Sequence, residues 1–204
     1  MPKLKKPRNY ADFTLAHLRA MFGLENKKQP LLLSDHLLEP SDWLKMSLER
    51  SKLAPLSTEK AKSEHLIAPV LLELKTLQPN RFNYFSGYTF DIDPAQSLKG
   101  RCDFLLTRKP SVDISAPVIA IFEAKDDNIE KWLGQCGAEM VAARLFNRLK
   151  NEPIEIIYGA VTNGYEWVFL RLEGDMLLVD TEYYNLDNLA KLLGVLEKVI
   201  NFYQ

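Results

Sequence analysis

The stretch VIAIFEAKDD, residues 118–127, starts as a strand and ends on charges. Bounded by Pro117 on one side and by charged residues on the other, Val118 to Phe122 reads as a buried strand. Side chains alternate along a strand, so Glu123 and Lys125 share a face, about 6.6 Å apart along it, with Ile119 and Ile121 farther back on the same face. A carboxylate and an ammonium ending an apolar strand cost desolvation energy unless something pairs or hydrates them. A structural ion pair at a strand end is one explanation.

Outward from this strand the pattern is two-fold. RCDFLLT (101–107) precedes it across a proline-bounded loop, and RFNYFSGYTFDID (81–93) precedes that, with Phe82, Tyr84, Tyr88 and Phe90 expected along one face. Three consecutive strands predict an antiparallel meander. Residues 128–150 turn helical, with Ile129, Trp132, Leu133, Cys136 and Met140 on one side. Then follow IEIIYGAV, the turn Thr162-Asn163-Gly164, YEWVFLRL, a Gly174-Asp175 hairpin, MLLVDTEYY and an amphipathic helix from Leu186 to Tyr203. Upstream, residues 57–77 predict a helix that Pro69 kinks or restarts. Residues 1–56 read as a helical extension, with helices from Tyr10 to Phe22 and from Ser41 to Leu53. The predicted fold class is α/β, a central mixed β-sheet flanked by helices, with residues 57–204 as the main domain.

A chain of 204 residues suits one domain with an elaboration. With 47% hydrophobic and 26% charged residues it reads as neither disordered nor fibrous. No apolar run reaches the roughly 18 residues of a membrane helix, and MPKLKKPRNY lacks the apolar centre of a signal peptide, so a cytoplasmic protein without a membrane partner is expected. Cys102 and Cys136 make no disulfide framework, and the three histidines have no zinc-ligand spacing. A net charge of −1 lacks the basic excess usual in proteins that live on the phosphate backbone. Contact with nucleic acid would fall to local clusters, Lys3, Lys5, Lys6 and Arg8 or Arg101, Arg108 and Lys109.

Asp103 interrupts the apolar strand next to the one carrying Glu123, so a hairpin can bring the two carboxylates together. Paired carboxylates repel unless a cation lies between them, and hard ions such as Mg²⁺ take an all-oxygen shell. Glu64 borders the apolar arc of Ile67, Leu71 and Leu74 and can look toward the sheet. Glu64 on a helix, Asp103 on a strand and, twenty residues later, EAK at a strand end resemble the PD-(D/E)XK nuclease superfamily. The likeness is to restriction-endonuclease-like domains, including the nuclease domain of type I restriction motor subunits. It spans roughly residues 57–181, since TNGYEWVFLRL is similar to the strand pair after the catalytic helix. Cys102 stands where the name pattern has proline.

The resemblance implies Asp103 and Glu123 as metal ligands with the Ala124 carbonyl, Lys125 as the catalytic lysine, Glu64 as an additional acid binding metal directly or through water, and Gln135 as a residue holding the lysine and the attacking water. It implies Mg²⁺, with Mn²⁺ as a second candidate, and nucleic acid as substrate, DNA foremost; a homodimer is compatible with it. Arg101, on the face of Asp103, either touches a phosphate or pairs with Asp103. Asp126 and Asp127 suit the start of the next helix, His65 the surface or packing, and Trp132 and Trp167 the core, while Glu139, one turn past Gln135, is either a satellite of the site or a solvated helix residue, the second being the expectation. The competing expectation is a catalytically idle protein of the same fold acting as a binding or assembly module. A glycosidase-like carboxylate pair gives no reason for the lysine.

Overall fold

The computed structural model describes residues 4–32, 36–125 and 128–204. Lys3, Asp126 and Asp127, singled out above, lie outside the described residues. In chain order the helices are α1 (Leu15–Phe22), α2 (Asp42–Ser51), α3 (Glu59–Lys62), α4 (Ala68–Leu77), α5 (Leu133–Leu149) and α6 (Leu189–Asn201). The strands are β1 (Glu25–Lys28), β2 (Asn83–Thr89), β3 (Arg101–Thr107), β4 (Val118–Ala124), β5 (Ile156–Thr162), β6 (Glu166–Glu173) and β7 (Met176–Asn185). These seven strands form one mixed sheet in the order β1-β7-β6-β5-β4-β3-β2. No described helix is long and apolar enough to cross a membrane.

The expected meander is present: β2 pairs antiparallel with β3, and β3 with β4. Helix α5 then carries the chain to β5, parallel to β4, and β6 and β7 follow antiparallel. Helices cover both faces of the sheet. Cys136, Met140 and Val141 of α5 and Leu18 of α1 pack on one face with Leu105, Ile121 and Leu170. Leu71 and Leu74 of α4 and Leu196 and Val199 of α6 pack on the other with Phe122, Trp167 and Phe169. Trp167 is the core anchor that its size predicts.

Two local expectations fail for identifiable reasons, and a third holds. Phe82 and Tyr84 pack toward α4 and α6, but Phe85 and Phe90 pack toward α5, and Tyr88 is exposed. Gly87 adopts φ +61°, a left-handed conformation that interrupts the strand alternation between them. Ile119 does not share the face of Ile121: the register shifts from Leu106↔Ala120 to Thr107↔Val118, leaving Ile119 bulged and packed in the α4–α6 core. The helix expected over 57–77 is present and restarts at Pro69 as expected: α3 runs through a π-helical turn at Ser63–Ile67 into α4, which has Pro69 in its first turn.

The first 56 residues are not only helical. Tyr10–Asp12 is a 3₁₀ turn, and Glu25-Asn26-Lys27-Lys28 forms β1, paired parallel with β7 from Glu25↔Met176 to Lys28↔Val179. All four β1 residues are exposed, so no apolar pattern announces the strand. Beyond it, the buried carboxylate of Asp180 accepts the N–H groups of Leu31 and Leu32, both at 3.2 Å, and fastens the chain to β7. Buried Glu73 on α4 likewise accepts the N–H and hydroxyl of Ser41, the N-cap of α2.

The N-terminal chain also closes the outer side of α5. Tyr10 donates its hydroxyl to the Phe90 carbonyl at 2.6 Å, and Tyr10, Phe13 and Leu18 join the α5 core. As a result α5 is buried at every position from Leu133 to Ala143. Contact is closest at Gly134, where an added Cβ would lie 2.4 Å from Thr14 Cα and 2.5 Å from the Phe13 carbonyl oxygen. Both neighbours are backbone, so Gly134→Ala is expected to lower the unfolding free energy by about 1–3 kcal/mol, read as a lower urea midpoint.

Candidate active site

Glu123 ends the apolar run of β4 and is 1% exposed. The β3–β4 ladder ends at Phe104↔Phe122, so Asp103 and Glu123 stand one step beyond it, side by side. There the backbone ladder gives way to a side chain: Ala124 N–H donates to Asp103 Oδ2 at 2.9 Å. On its other edge β4 stays paired, since Lys125 N–H donates to the Thr162 carbonyl at 2.8 Å.

The Lys125 ammonium folds back into this group. Its Nζ is 3.0 Å from Glu123 Oε2 and 4.0 Å from Asp103 Oδ2. It is also 4.0 Å from Glu59 Oε2 at the start of α3, and it sits 4.7 Å from the centroid of the Trp132 ring. Burial works against the ammonium, but the carboxylates, Glu123 first and then Asp103, hold its pKa above the ordinary lysine value.

On the α5 side, Gln135 donates Nε2 to Glu123 Oε2 at 2.8 Å and to Glu139 Oε1 at 3.1 Å. Glu139 is fully buried, which corrects the solvated position expected for it: the N-terminal chain covers the side of α5 that would otherwise meet water. Burial, followed by the neighbouring Glu139 charge, raises the Glu123 pKa well above the ordinary range, and burial brings Glu139 up to about 7. The two carboxyls titrate as one unit that retains a proton where isolated carboxyls have lost theirs. Glu123 Oε1, Gln135 Oε1 and Glu139 Oε2 are buried and make no hydrogen bond.

Glu64 and Arg101 stand farther out, in a cleft of about 370 Å³ that Asp103 and Ala124 also line with Glu59, Lys60, Ser63, Ser86 and Gly87. The Glu64 carboxylate is 3.6 Å from Lys60 Nζ, with its side chain 59% exposed. His65 is exposed, as its type suggests. The structure therefore joins Asp103, Glu123, Lys125 and Gln135 in one contact network and leaves Glu64 and Arg101 at its mouth. It adds Glu59, Trp132 and Glu139. Of these only Glu139 left a trace in the sequence: Gly134, Gly137, Ala138, Ala142 and Ala143 flank it with small residues, a mark of a helix approached from all sides.

Among the described residues, no group of three or more His, Cys, Asp and Glu side chains is arranged to hold a metal ion. No protein-family model matches the chain, and no curated protein matches it in sequence.

A carboxyl whose folded-state pKa is raised stabilises the fold fully below its unfolded pKa, and that contribution disappears as pH rises through the folded value. For Glu139 the window runs from about 4.5 to about 7. Stability of the metal-free protein should fall across it by on the order of 1–3 kcal/mol. Glu139→Gln keeps an acceptor for Gln135 and offers a donor to Glu123, so urea unfolding at a series of pH values should give a flatter profile for this variant.

Proposed function

We propose that the chain is a metal-dependent nuclease of restriction-endonuclease-like fold, hydrolysing phosphodiester bonds in nucleic acid, DNA foremost. The observation that carries this reading is the position of Lys125, a lysine only 8% exposed whose ammonium meets the carboxylates of Asp103 and Glu123. The order of elements supports it too: a helix carrying an acid, a three-stranded meander carrying the Asp, Glu and Lys, a crossover helix carrying Gln135, and a parallel strand.

The residues suit a hard divalent cation, Mg²⁺ or Mn²⁺. Their side-chain donors are oxygens, and Glu123 Oε1 is a buried carboxylate oxygen with no hydrogen-bond partner. Asp103, Glu123 and the Ala124 carbonyl would hold the ion, with Glu64 reaching it through water. When bound, such an ion activates a water and offsets negative charge on the phosphate.

The chain's own groups do the rest. Gln135 fixes Glu123 Oε2 through its amide, so the carboxylate keeps one orientation. The Trp132 ring and Glu123 confine the ammonium of Lys125, which places a positive charge where the attacking water and the charge-accumulating phosphate meet. Fixed charge in a dry site acts on the transition state without reorganising.

A second reading, a catalytically idle protein of this fold that binds or assembles, has one specific observation in its favour. The Lys125 ammonium offsets the charge of one acid, and Glu123, whose pKa burial raises, can keep a proton, so the buried charges balance without a metal.

Two variants separate the readings. Lys125→Met keeps the aliphatic stem and removes the charge, and Glu123 compensates by holding its proton. On the catalytic reading this variant loses plasmid nicking by at least about a hundredfold while calorimetry finds Mn²⁺ affinity unchanged or higher, because an interaction made in the transition state is missing from the ground state. Asp103→Ala should lose both cleavage and metal binding. Cleavage by Lys125→Met at the wild-type rate would refute the assigned chemistry, and a wild type that neither binds Mn²⁺ nor nicks DNA would leave the idle reading.

A further inference from the structure

Arg101 opens β3 two residues before Asp103, on the same face, at the mouth of the cleft. The cleft has two cations at its wall, Lys60 and Arg101, and three acids, Glu59, Glu64 and Asp103. Lys60 faces Glu64 at 3.6 Å. Asp103 turns Oδ2 to the Ala124 N–H and toward Lys125. Arg101 has no ion-pair partner among the described residues.

Its guanidinium instead rests on bare backbone. An added Cβ on Gly87 would lie 2.7 Å from Arg101 Nη2, 3.0 Å from Nε and 3.2 Å from Cζ. Gly87 is favoured by its φ of +61°, and its lack of a Cβ leaves the space that the guanidinium fills. An arginine that only decorated the surface would neither need a seat made by a left-handed glycine on the neighbouring strand nor stay apart from three nearby carboxylates. This placement presents a planar donor fork at the opening of a cleft whose other cation, Lys60, is paired with Glu64.

We infer that Arg101, seated on Gly87, is a phosphate subsite, binding a backbone phosphate of the nucleic-acid strand next to the phosphate presented to Lys125. This rests on the nuclease reading above. The fork donates two parallel hydrogen bonds to the non-bridging oxygens of a phosphodiester, which Lys cannot reproduce. The contact holds the strand in place and carries no sequence information of its own.

The test is fluorescence anisotropy of a labelled oligonucleotide with wild type, Arg101→Ala, Arg101→Lys and Gly87→Ala, over a series of salt concentrations and without divalent metal, so that binding is read apart from cleavage. Arg101→Ala should weaken binding about tenfold and lower the slope of log affinity against log salt by about 1. Arg101→Lys should restore the slope but not the affinity. Gly87→Ala should match Arg101→Ala, and the two arginine variants, which leave the backbone untouched, keep the test valid if Gly87→Ala unfolds. With Mg²⁺, Arg101→Ala should raise KM and leave kcat close to wild type. Unchanged affinity and slope in Arg101→Ala, with wild type binding and cleaving, overturn the subsite alone. A wild type that binds without cleaving, with the slope lowered in Arg101→Ala, upholds the subsite and overturns the catalytic reading. No binding by wild type overturns both.

Discussion

A carboxyl group buried at the end of a strand is the constraint around which this molecule is arranged. Every residue of β4 is buried, and Glu123 is no exception. Moving an ionised carboxylate out of water costs several kcal/mol even after the protein relaxes, so the fold has to supply a counter-charge, a donor or a proton. It supplies all three. Lys125 is the counter-charge, Gln135 the donor, and burial beside the Glu139 charge lets Glu123 keep a proton. Each comes from a position that only this topology brings close: one residue past the strand, and two turns of the crossover helix that leaves from it.

The same constraint explains why α5 is covered twice. A dry carboxyl pair under a helix open to solvent would draw in water and lose the electrostatic strength of its contacts. The N-terminal chain seals that side, with Phe13 and Thr14 against Gly134 and Tyr10 latched to Phe90. The segment that looks in sequence like an appendage is thus part of the wall of the candidate site.

What the sequence disclosed follows from where the physics is local. β3 and β4 were legible because apolar runs bounded by turn residues leave little choice, and Asp103, Glu123 and Lys125 were legible because charges in such runs are anomalous. β1 was not, since a short edge strand of Glu, Asn and two lysines owes its conformation to the backbone of β7 and not to its own side chains. The two faces of β2 and the bulge at Ile119 were hidden because a single left-handed glycine or one extra residue reverses the parity on which alternation rests. Between the site and solvent, the sequence pointed Glu139 to solvent, because burial of a helix face depends on what covers it, and that cover lies more than a hundred residues away in the chain.

The pairing of β1 with β7 also bears on how the molecule is assembled. The first described strand lies against the last one in chain order, Glu25 beside Met176, so β1 has no partner until β7 has been synthesised. Closing such a distant contact is slow relative to the hairpins that connect β2 to β4 and β5 to β7. During that interval the flank of β7 offers unpaired backbone to any passing strand. The lysines of β1 then give the finished edge a charged border that discourages further addition.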